Sequence, residues 1–288
     1  MKKLNITFAT ILLAFGCFAL PSAMKADSPI PTSAHASAIT TIDAPGAELT
    51  AAQGINDKGD IVGFWNDAIS GHGFVFAKGA FLTFDVPGAI DTAARGINSR
   101  GDVVGEYGLD GTTDHGFLRS GNNFTTIDFP GAADTFPNAI NASGDIVGFY
   151  DDTVNFHGFL LDKHGVFTAI NYPGATDTQV YGINDKGDIV GTYDDTSGFH
   201  GFLLNKGVFS TIEAPGVLGI QARGISSRGD IVGIFSGGHS FLFSGGTFTV
   251  TDVPGAIVTR SRGINARGDI SGNYDDSSGN THGFLLTR

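Results

Sequence analysis

The feature that most constrains this chain is a five-part motif that recurs six times. A Pro-Gly pair begins at residues 45, 87, 130, 173, 215 and 254, so successive repeats are 39 to 43 residues apart. Each pair is followed by Gly-Ile-Asn or a near variant, then Gly-Asp-(Ile/Val), then an aromatic residue two positions after a glycine. His-Gly-Phe, once His-Ser-Phe, ends the motif. A period of this length is typical of propellers and solenoids.

Each repeat divides into four short strands. In the first repeat we predict strands over Ala51–Asn56, Asp60–Trp65, His72–Phe76 and Phe81–Asp85. The intervening Asn-Asp-Lys-Gly predicts a tight hairpin turn, because Asn and Gly suit its special backbone angles. The Pro-Gly pair ends strand pairing and begins the crossing to the next unit. Four antiparallel strands in about 40 residues make one propeller blade.

The two ends of the repeat region indicate a closed ring. The last repeat stops at His282–Arg288 without a fourth strand, and an additional strand, Ala38–Asp43, precedes the first Pro-Gly. An open β-solenoid would instead need capping segments. We therefore predict an all-β fold, a six-bladed β-propeller of four-stranded antiparallel blades, with the ring closed by the N-terminal strand completing the last blade.

The repeat resembles the extracellular HAF repeat units of bacterial exported proteins, which are named for a His-Ala-Phe motif. Here the motif is His72-Gly73-Phe74 and its copies, with His239-Ser240-Phe241 in the fifth unit, and the resemblance covers about residues 38–288. The resemblance implies export and a propeller-like architecture. It implies no catalytic residues.

The N-terminus predicts export. Two lysines precede a largely apolar stretch that ends in small residues, so we expect a signal peptide over 1–26, a flexible linker over 27–37 and the propeller over 38–288. We expect an extracellular or periplasmic protein. Cys17 leaves a lipoprotein as the alternative, but Phe15 fits a lipid-attachment motif poorly. Cys17 would be removed with the signal, leaving no disulfide or thiol.

The charge of the chain limits its partners. There are 17 Lys and Arg against 29 Asp and Glu, a net charge of −12, and the predicted signal peptide carries lysines but no acids. This acidity argues against nucleic acid and against anionic membrane surfaces. We predict a monomer that binds a polysaccharide or an extracellular protein, without membrane insertion after signal cleavage. No cofactor is predicted, although carboxylate-rich loops would suit calcium.

The recurring histidine predicts a structural pair with an acid on the neighbouring strand. If Phe76 pairs with Phe81, position 72 lies opposite position 85. Six equivalent histidines, one blade apart, are too far from one another to share a metal ion. The predicted structural His–acid pairs are His72–Asp85, His115–Asp128, His200–Glu213, His239–Asp252 and His282–Asp43, while His157 meets Asn171.

The loop between the second and third strands of each blade is the predicted binding surface. It lies on the same face as the Pro-Gly crossings, and longer loops on a rigid frame favour binding. Its aromatic rings would stack on sugars, while its carboxylates would accept hydrogen bonds from sugar hydroxyl groups. The alternative is a solvated acidic loop beside aromatic rings that pack between blades. The candidates are Trp65, Asp67, Tyr107, Tyr150, Asp151, Asp152, Tyr193, Asp194, Asp195, Tyr274 and Asp275.

No motif in the sequence predicts catalysis. It contains no Gly-x-Ser-x-Gly, no His-Glu-x-x-His and no phosphate-binding glycine loop. The Asn-x-x-Gly-Asp segments are explained as turns and lack the late bidentate acid of a calcium loop. The near-uniform repeat favours a non-catalytic binding module with carbohydrate, calcium or protein as ligand. A polysaccharide hydrolase or lyase is the alternative, and a purely structural role in the envelope or matrix is a third.

Overall fold

A computed structural model describes residues 38–217 and 219–288 of the chain. The predicted signal peptide (1–26) and linker (27–37) lie outside the described residues. The described chain forms six four-stranded antiparallel sheets. Among the described residues, no helix is long and apolar enough to cross a membrane.

The first five blades each consist of four consecutive strands. Blade 1 contains β2 (Leu49–Ile55), β3 (Ile61–Asn66), β4 (Gly71–Ala77) and β5 (Ala80–Phe84). Blade 2 contains β6 (Asp91–Ile97), β7 (Val103–Gly108), β8 (Asp114–Ser120) and β9 (Asn123–Ile127). Blade 3 contains β10 (Asp134–Ile140), β11 (Ile146–Asp151), β12 (Phe156–Leu161) and β13 (Phe167–Ile170). Blade 4 contains β14 (Asp177–Ile183), β15 (Ile189–Asp195), β16 (Gly198–Asn205) and β17 (Val208–Ile212). Blade 5 contains β18 (Ile220–Ile225), β19 (Ile231–Phe235), β20 (His239–Ser244) and β21 (Thr247–Val250).

Blade 6 closes the ring as predicted. It contains β22 (Val258–Ile264), β23 (Ile270–Asp275) and β24 (Thr281–Thr287), and β1 (Ala38–Ile42) supplies its fourth strand. The β1–β24 pairing runs antiparallel from Ala38 opposite Thr287 to Ile42 opposite Gly283. The six-bladed propeller with an N-terminal closing strand is therefore confirmed.

The predicted strands of blade 1 differ from the observed ones by at most two residues at each end. Phe76 pairs with Phe81, as the sequence predicted. The Phe of each His-Gly-Phe or His-Ser-Phe motif is fully buried and packs between blades, as Phe74 and Phe241 show. Hydrophobic burial of this ring in every blade accounts for the regular recurrence of the motif.

The Pro-Gly crossings are tight turns. Ala47 N–H donates to the Ala44 carbonyl at 3.1 Å, and Gly46 adopts a φ of +81°, which a type II turn with Pro45 before it requires. Thr50 Oγ1 then accepts the Ala44 N–H at 3.0 Å. This hydrogen bond fixes the angle at which the chain enters the next blade.

The turn asparagine connects neighbouring blades. Asn56 Oδ1 accepts the backbone N–H of Lys58 and Asp60 at 3.0 Å each, which closes the turn. Asn56 Nδ2 also donates to the Asn98 carbonyl of the next blade at 3.1 Å. Asn265 donates to the Asn56 carbonyl at 3.4 Å and so joins blade 6 to blade 1. The sequence predicted the turn but not this contact between blades.

We predict that Ile42 is essential to ring closure. It is 2% exposed and packs with Ile55, Phe74 and Leu285. Ile42→Ala should lower the free energy of unfolding by about 2–4 kcal/mol, because it leaves a cavity between β1 and blade 1. Urea denaturation measures this. The control is Thr40→Ala on the exposed side of β1, with an expected change below about 0.5 kcal/mol; equal effects would contradict the closure.

Candidate functional site

Four of the predicted His–acid pairs lie within hydrogen-bond distance. His72 Nδ1 lies 3.0 Å from Asp85 Oδ1. The corresponding distances are 3.0 Å for His115–Asp128, 2.7 Å for His239–Asp252 and 2.9 Å for His282–Asp43. His157 Nδ1 lies 3.0 Å from Asn171 Oδ1, so an amide takes the place of the acid there.

His200 departs from the predicted pattern. No hydrogen bond joins it to Glu213 within the part of the chain that the structure describes. Its Nε2 lies 2.8 Å from Ser197 Oγ and 3.3 Å from Asp195 Oδ1, while Glu213 is exposed. The predicted hydrogen bond between His200 and Glu213 is therefore not formed in this structure.

The aromatic candidates are packed within their own blades. Each ring lies against the histidine of the next strand, with centroid distances from 4.6 Å for Trp65–His72 to 5.5 Å for Tyr107–His115. The others are Tyr150–His157, Tyr193–His200 and Tyr274–His282. The polar atoms of Trp65, Tyr107, Tyr193 and Tyr274 contact threonines of the fourth strand, for example Trp65 Nε1 at 3.2 Å from Thr83 Oγ1. Tyr107 and Tyr193 are buried. This arrangement favours packing over a sugar-stacking surface.

The acidic candidates form the loops themselves. Asp67 Oδ1 accepts the backbone N–H of Ile69 and Ser70 at 2.7 and 2.8 Å, and these hydrogen bonds lower the pKa of its carboxyl group. Asp152 Oδ1 accepts two backbone N–H groups in the same way, and its Oδ2 lies 3.0 Å from His157 Nε2. These carboxylates hold tight Asx turns.

The remaining acidic candidates are also engaged. Asp151 Oδ1 accepts the Thr153 N–H at 2.7 Å, and Asp195 Oδ1 accepts the Ser197 N–H at 2.7 Å. Burial, reinforced by Asp177, raises the pKa of Asp194. Asp275 accepts a hydrogen bond from Arg260 at 2.9 Å. Over the described residues, no three His, Cys, Asp or Glu side chains converge to hold a metal ion.

A site that the sequence analysis missed lies on the propeller axis. The residue before each Gly-Ile of the innermost strands, or its Ala-Ile counterpart in blade 3, lines a cavity of about 120 Å³. Six different blades supply these side chains, which we call the channel residues. They are Gln53, Arg95, Asn138, Tyr181, Arg223 and Arg262. A concave site with a few convergent polar groups is the usual form of a ligand pocket.

The glycine after each channel residue explains why these side chains meet. A Cβ at Gly54, Gly96 or Gly224 would lie 2.7 Å from the carbonyl oxygen of the next blade's channel residue. Only glycine allows the innermost strands to approach this closely. The channel is therefore narrow, and the side chains one position earlier project toward a common axis.

Two of the four arginines around the channel have acidic partners. Arg95 Nε donates to Glu106 Oε1 at 2.8 Å, and Glu106 is 1% exposed. Burial acts to lower the pKa of Arg95, but the attraction of Glu106 outweighs it, so the pKa is raised. Arg260, two residues before Arg262, donates to Asp275. Glu106 is buried, whereas Arg260 and Asp275 are partly exposed, at 22% and 18%. Removing one partner of a buried pair is strongly destabilising.

Arg223 and Arg262 have no acidic partner among the described residues. The Arg223 guanidinium lies 3.8 Å from the centre of the Tyr181 ring and donates to Gln221 Oε1. Burial, and then the positive charges of Arg223, Arg260 and Arg95, lower the pKa of Arg262 well below its usual range. Guanidinium stays protonated in proteins, so two positive charges without an acidic partner in the described chain stand in this partly buried site.

An acidic cluster lies in blade 2 and at the start of blade 3, outside the cavity lining. Asp114 begins β8 and lies near Glu106 and Asp134. Burial, followed by the repulsion of these two carboxylates, raises the pKa of Asp114 to about 7. In the other blades, the residue before the motif histidine is Gly, Phe or Thr. Gly71 and Phe156 are examples, and their backbone N–H groups donate to an Asp of the next blade. Asp114 is therefore specific to blade 2.

One sequence signal would have found the channel. The position before Gly-Ile, or Ala-Ile in blade 3, is polar and large in all six copies and contains three of the arginines. The position before that one is small or apolar in every copy. A polar side chain of changing identity between constant positions indicates that the scaffold does not require that particular side chain.

Comparison with known proteins supports the fold. No family model matches the chain, and no curated protein matches it. A gluconolactonase from Xanthomonas campestris is 13% identical, with a TM-score of 0.56 over 94% of this chain and 99% of that one. An inactive virginiamycin B lyase from Staphylococcus aureus with quinupristin is 11% identical, with a TM-score of 0.52 over 88% and 99%. An Aleuria aurantia lectin with Fucα1-6GlcNAc is 11% identical, with a TM-score of 0.51 over 81% and 91%.

The fold places this chain in the class of six-bladed β-propeller proteins. At these identities the likeness establishes the fold alone. The similar structures include enzymes and a sugar-binding protein, so the architecture is compatible with either kind of activity.

We predict that protonated His282 stabilises the ring closure. Burial acts to lower the pKa of His282, but Asp43 and Asp276 together raise it. A raised folded-state pKa gives stability that is complete below the unfolded value of about 6.5 and is lost as the pH rises through the folded value. Between pH 5.5 and 9, the wild type should melt at a higher temperature than His282→Asn at the acidic end. This difference in melting temperature should shrink as the pH rises.

The matched control is His164→Asn, since His164 is exposed in a hairpin turn and lies outside the repeated motif. Its difference from the wild type should not change across this range. An advantage over His282→Asn that is constant with pH would contradict the role of protonation.

Proposed function

We propose that this protein is a non-catalytic, extracytoplasmic binding module whose ligand enters the axial channel. One observation carries the proposal: the residues that depart from the repeat converge on the axis, whereas the loop-face aromatics and acids bind one another. A single asymmetric pocket suits one specific ligand better than six similar surface loops do.

Carbohydrate is the ligand class that we propose. The channel offers guanidinium, amide and phenol groups, which donate hydrogen bonds to sugar oxygens. A cavity of about 120 Å³ would accept a sugar substituent or the end of a chain rather than a polysaccharide along its length. The lectin among the similar structures binds a sugar on a propeller scaffold, which is consistent with this class.

Two matched tyrosine variants test the position of the site. Tyr181→Phe removes a hydroxyl from the channel, where it donates to Gln179. Tyr150→Phe removes one from the loop face. In a thermal-shift screen of neutral and acidic sugars, with and without calcium, the ligand-induced shift should fall in Tyr181→Phe and persist in Tyr150→Phe.

A shift that persists in Tyr181→Phe and falls in Tyr150→Phe would contradict the channel as the binding site and favour the loop face. A shift with calcium alone, or none with any sugar, would contradict carbohydrate as the ligand and favour a protein partner or a structural role.

A hydrolase or lyase is the second candidate function, and Asp114 is the observation that favours it. A carboxyl group that stays partly protonated near neutral pH, close to the buried and ion-paired Glu106, has the properties of a general acid. In this case Asp114→Asn should lower polysaccharide turnover by about 100-fold or more. The control Asp110→Asn changes an exposed Asx turn of the same blade. If neither the wild type nor the control turns over a polysaccharide, that result would support the non-catalytic function.

The charge of Asp114 also has a consequence for stability. Its raised pKa means that ionisation above about pH 4 opposes folding, and increasingly so up to about pH 7. Asp114→Asn should therefore melt at a higher temperature than the wild type at pH 8, and the difference should disappear toward pH 4. A variant that is less stable at pH 8 would contradict this assignment and weaken the case for an acid catalyst.

A further inference from the structure

The buried polar atoms around the channel have an excess of hydrogen-bond donors. Among the described residues, six buried side-chain nitrogens on the innermost strands or their neighbours have no acceptor. They are Nε of Arg223 and Arg262, Nη1 of Arg260, Nε2 of Gln53 and Gln179, and Nδ2 of Asn273. The amides can turn to present oxygen, but the guanidinium nitrogens are donors in every orientation. A buried donor without an acceptor costs about 1–3 kcal/mol.

These donors come from four consecutive blades, 4, 5, 6 and 1. Gln53, Arg223 and Arg262 line the same cavity. Blades 6 and 1 are in direct contact here, since Ser271 Oγ donates to the Gln53 carbonyl at 2.9 Å. Arg260 stands opposite Asn273 in the β22–β23 register. Three neighbouring blades, 5, 6 and 1, therefore present unpaired donors of residues that line the channel.

The excess is also one of positive charge. Four arginines act on one another, and only Arg95 and Arg260 have carboxylate partners among the described residues. Water can accept the free hydrogen bonds, but it does not compensate the charge. Burying a cation without a counter-charge is among the most costly arrangements in a protein. An anion would compensate the charge and accept the hydrogen bonds together.

The geometry of the donors specifies the kind of anion. A guanidinium presents parallel N–H groups that fit the two oxygens of a carboxylate, phosphate or sulfate. Two such groups from the adjacent blades 5 and 6, followed in the ring by the Gln53 amide of blade 1, present donors from several directions. A spherical ion would use fewer of them.

We propose that the axial channel is an oxyanion site, in which Arg223 and Arg262, with Gln53, bind a carboxylate, phosphate or sulfate group. The assignment deepens the proposed function, on which it rests for its ligand: the sugar would be an acidic or phosphorylated one, with its anionic group on the axis. The same chemistry would also accept a free inorganic oxyanion.

The test compares binding of anions to the wild type and to Arg262→Gln in a buffer poor in oxyanions. Isothermal titration with inorganic phosphate, sulfate and glucuronate, with glucose as the neutral analogue of glucuronate, distinguishes a free ion from a sugar acid. We expect at least one of the three anions to bind the wild type and to bind Arg262→Gln at least tenfold more weakly. Without anion, Arg262→Gln should melt at a higher temperature, because it removes an uncompensated charge.

Lys163→Gln is the matched control, since it removes one positive charge from an exposed outer hairpin turn. It should bind anions as the wild type does. Sulfate stabilises many proteins without a site, so equal binding or equal stabilisation in all three proteins would overturn the proposal. Failure of all three anions to bind, with glucose or another neutral sugar still binding, would overturn the oxyanion site and leave the proposed function intact.

A second measurement covers the case in which Arg262→Gln does not fold. Crystals of the wild type grown with selenate should show anomalous density on the axis within hydrogen-bond distance of Arg223 and Arg262. Selenate found only on surface lysines and arginines would be adventitious and would overturn the proposal.

Discussion

The structure depends on the close approach of six innermost strands around one axis. Glycine is needed where a Cβ would meet the next blade's carbonyl oxygen at 2.7 Å, as at Gly54 and Gly96. Blade 3 has Ala139 at this position and is the exception. Backbone contact at this radius leaves no room for a conventional core on the axis. The side chains that precede the glycines therefore enter the channel, and their chemistry is independent of the packing that holds the blades together.

The repeat uses its most recognisable residues to hold each blade. His72, Trp65 and Asp67 illustrate this: the ring packs on the imidazole, and the two imidazole nitrogens face acids or hydroxyls on either side. In a sequence, such groups resemble a binding site, because aromatic stacking and carboxylate hydrogen bonds serve both ligand binding and packing within a blade. Most of their hydrogen-bonding capacity is already used within the blade, which lowers their value for a ligand.

The fold was predictable from the sequence because each part of the repeat has a local physical cause. Turn residues, a buried Phe and the Pro-Gly crossing set strand number and register, and β1 has no partner other than the last blade. The predicted pairing of Phe76 with Phe81 placed His72 opposite Asp85 for the same reason. His200 instead contacts Ser197 and Asp195 of its own loop, a choice of partner that residue spacing alone does not reveal.

The channel was harder to predict, because its members are about 40 residues apart and differ in chemistry, although each occupies the same position of the repeat. Arg223 and Arg262 become neighbours only when blades 5 and 6 pack side by side. What the sequence does show is a polar residue before each Gly-Ile or Ala-Ile, and that residue gains meaning once its strand is known to be innermost.

The distribution of charge gives the asymmetry of the channel its significance. The chain has a net charge of −12, yet four of its arginines are placed around the axis, and two of them have no acidic partner among the described residues. An acidic exterior would normally keep anions away, with a range set by a screening length of about 8 Å at physiological ionic strength. A cationic centre inside an acidic protein therefore discriminates by contact: an oxyanion that reaches the axis meets guanidinium groups without an acidic partner among the described residues.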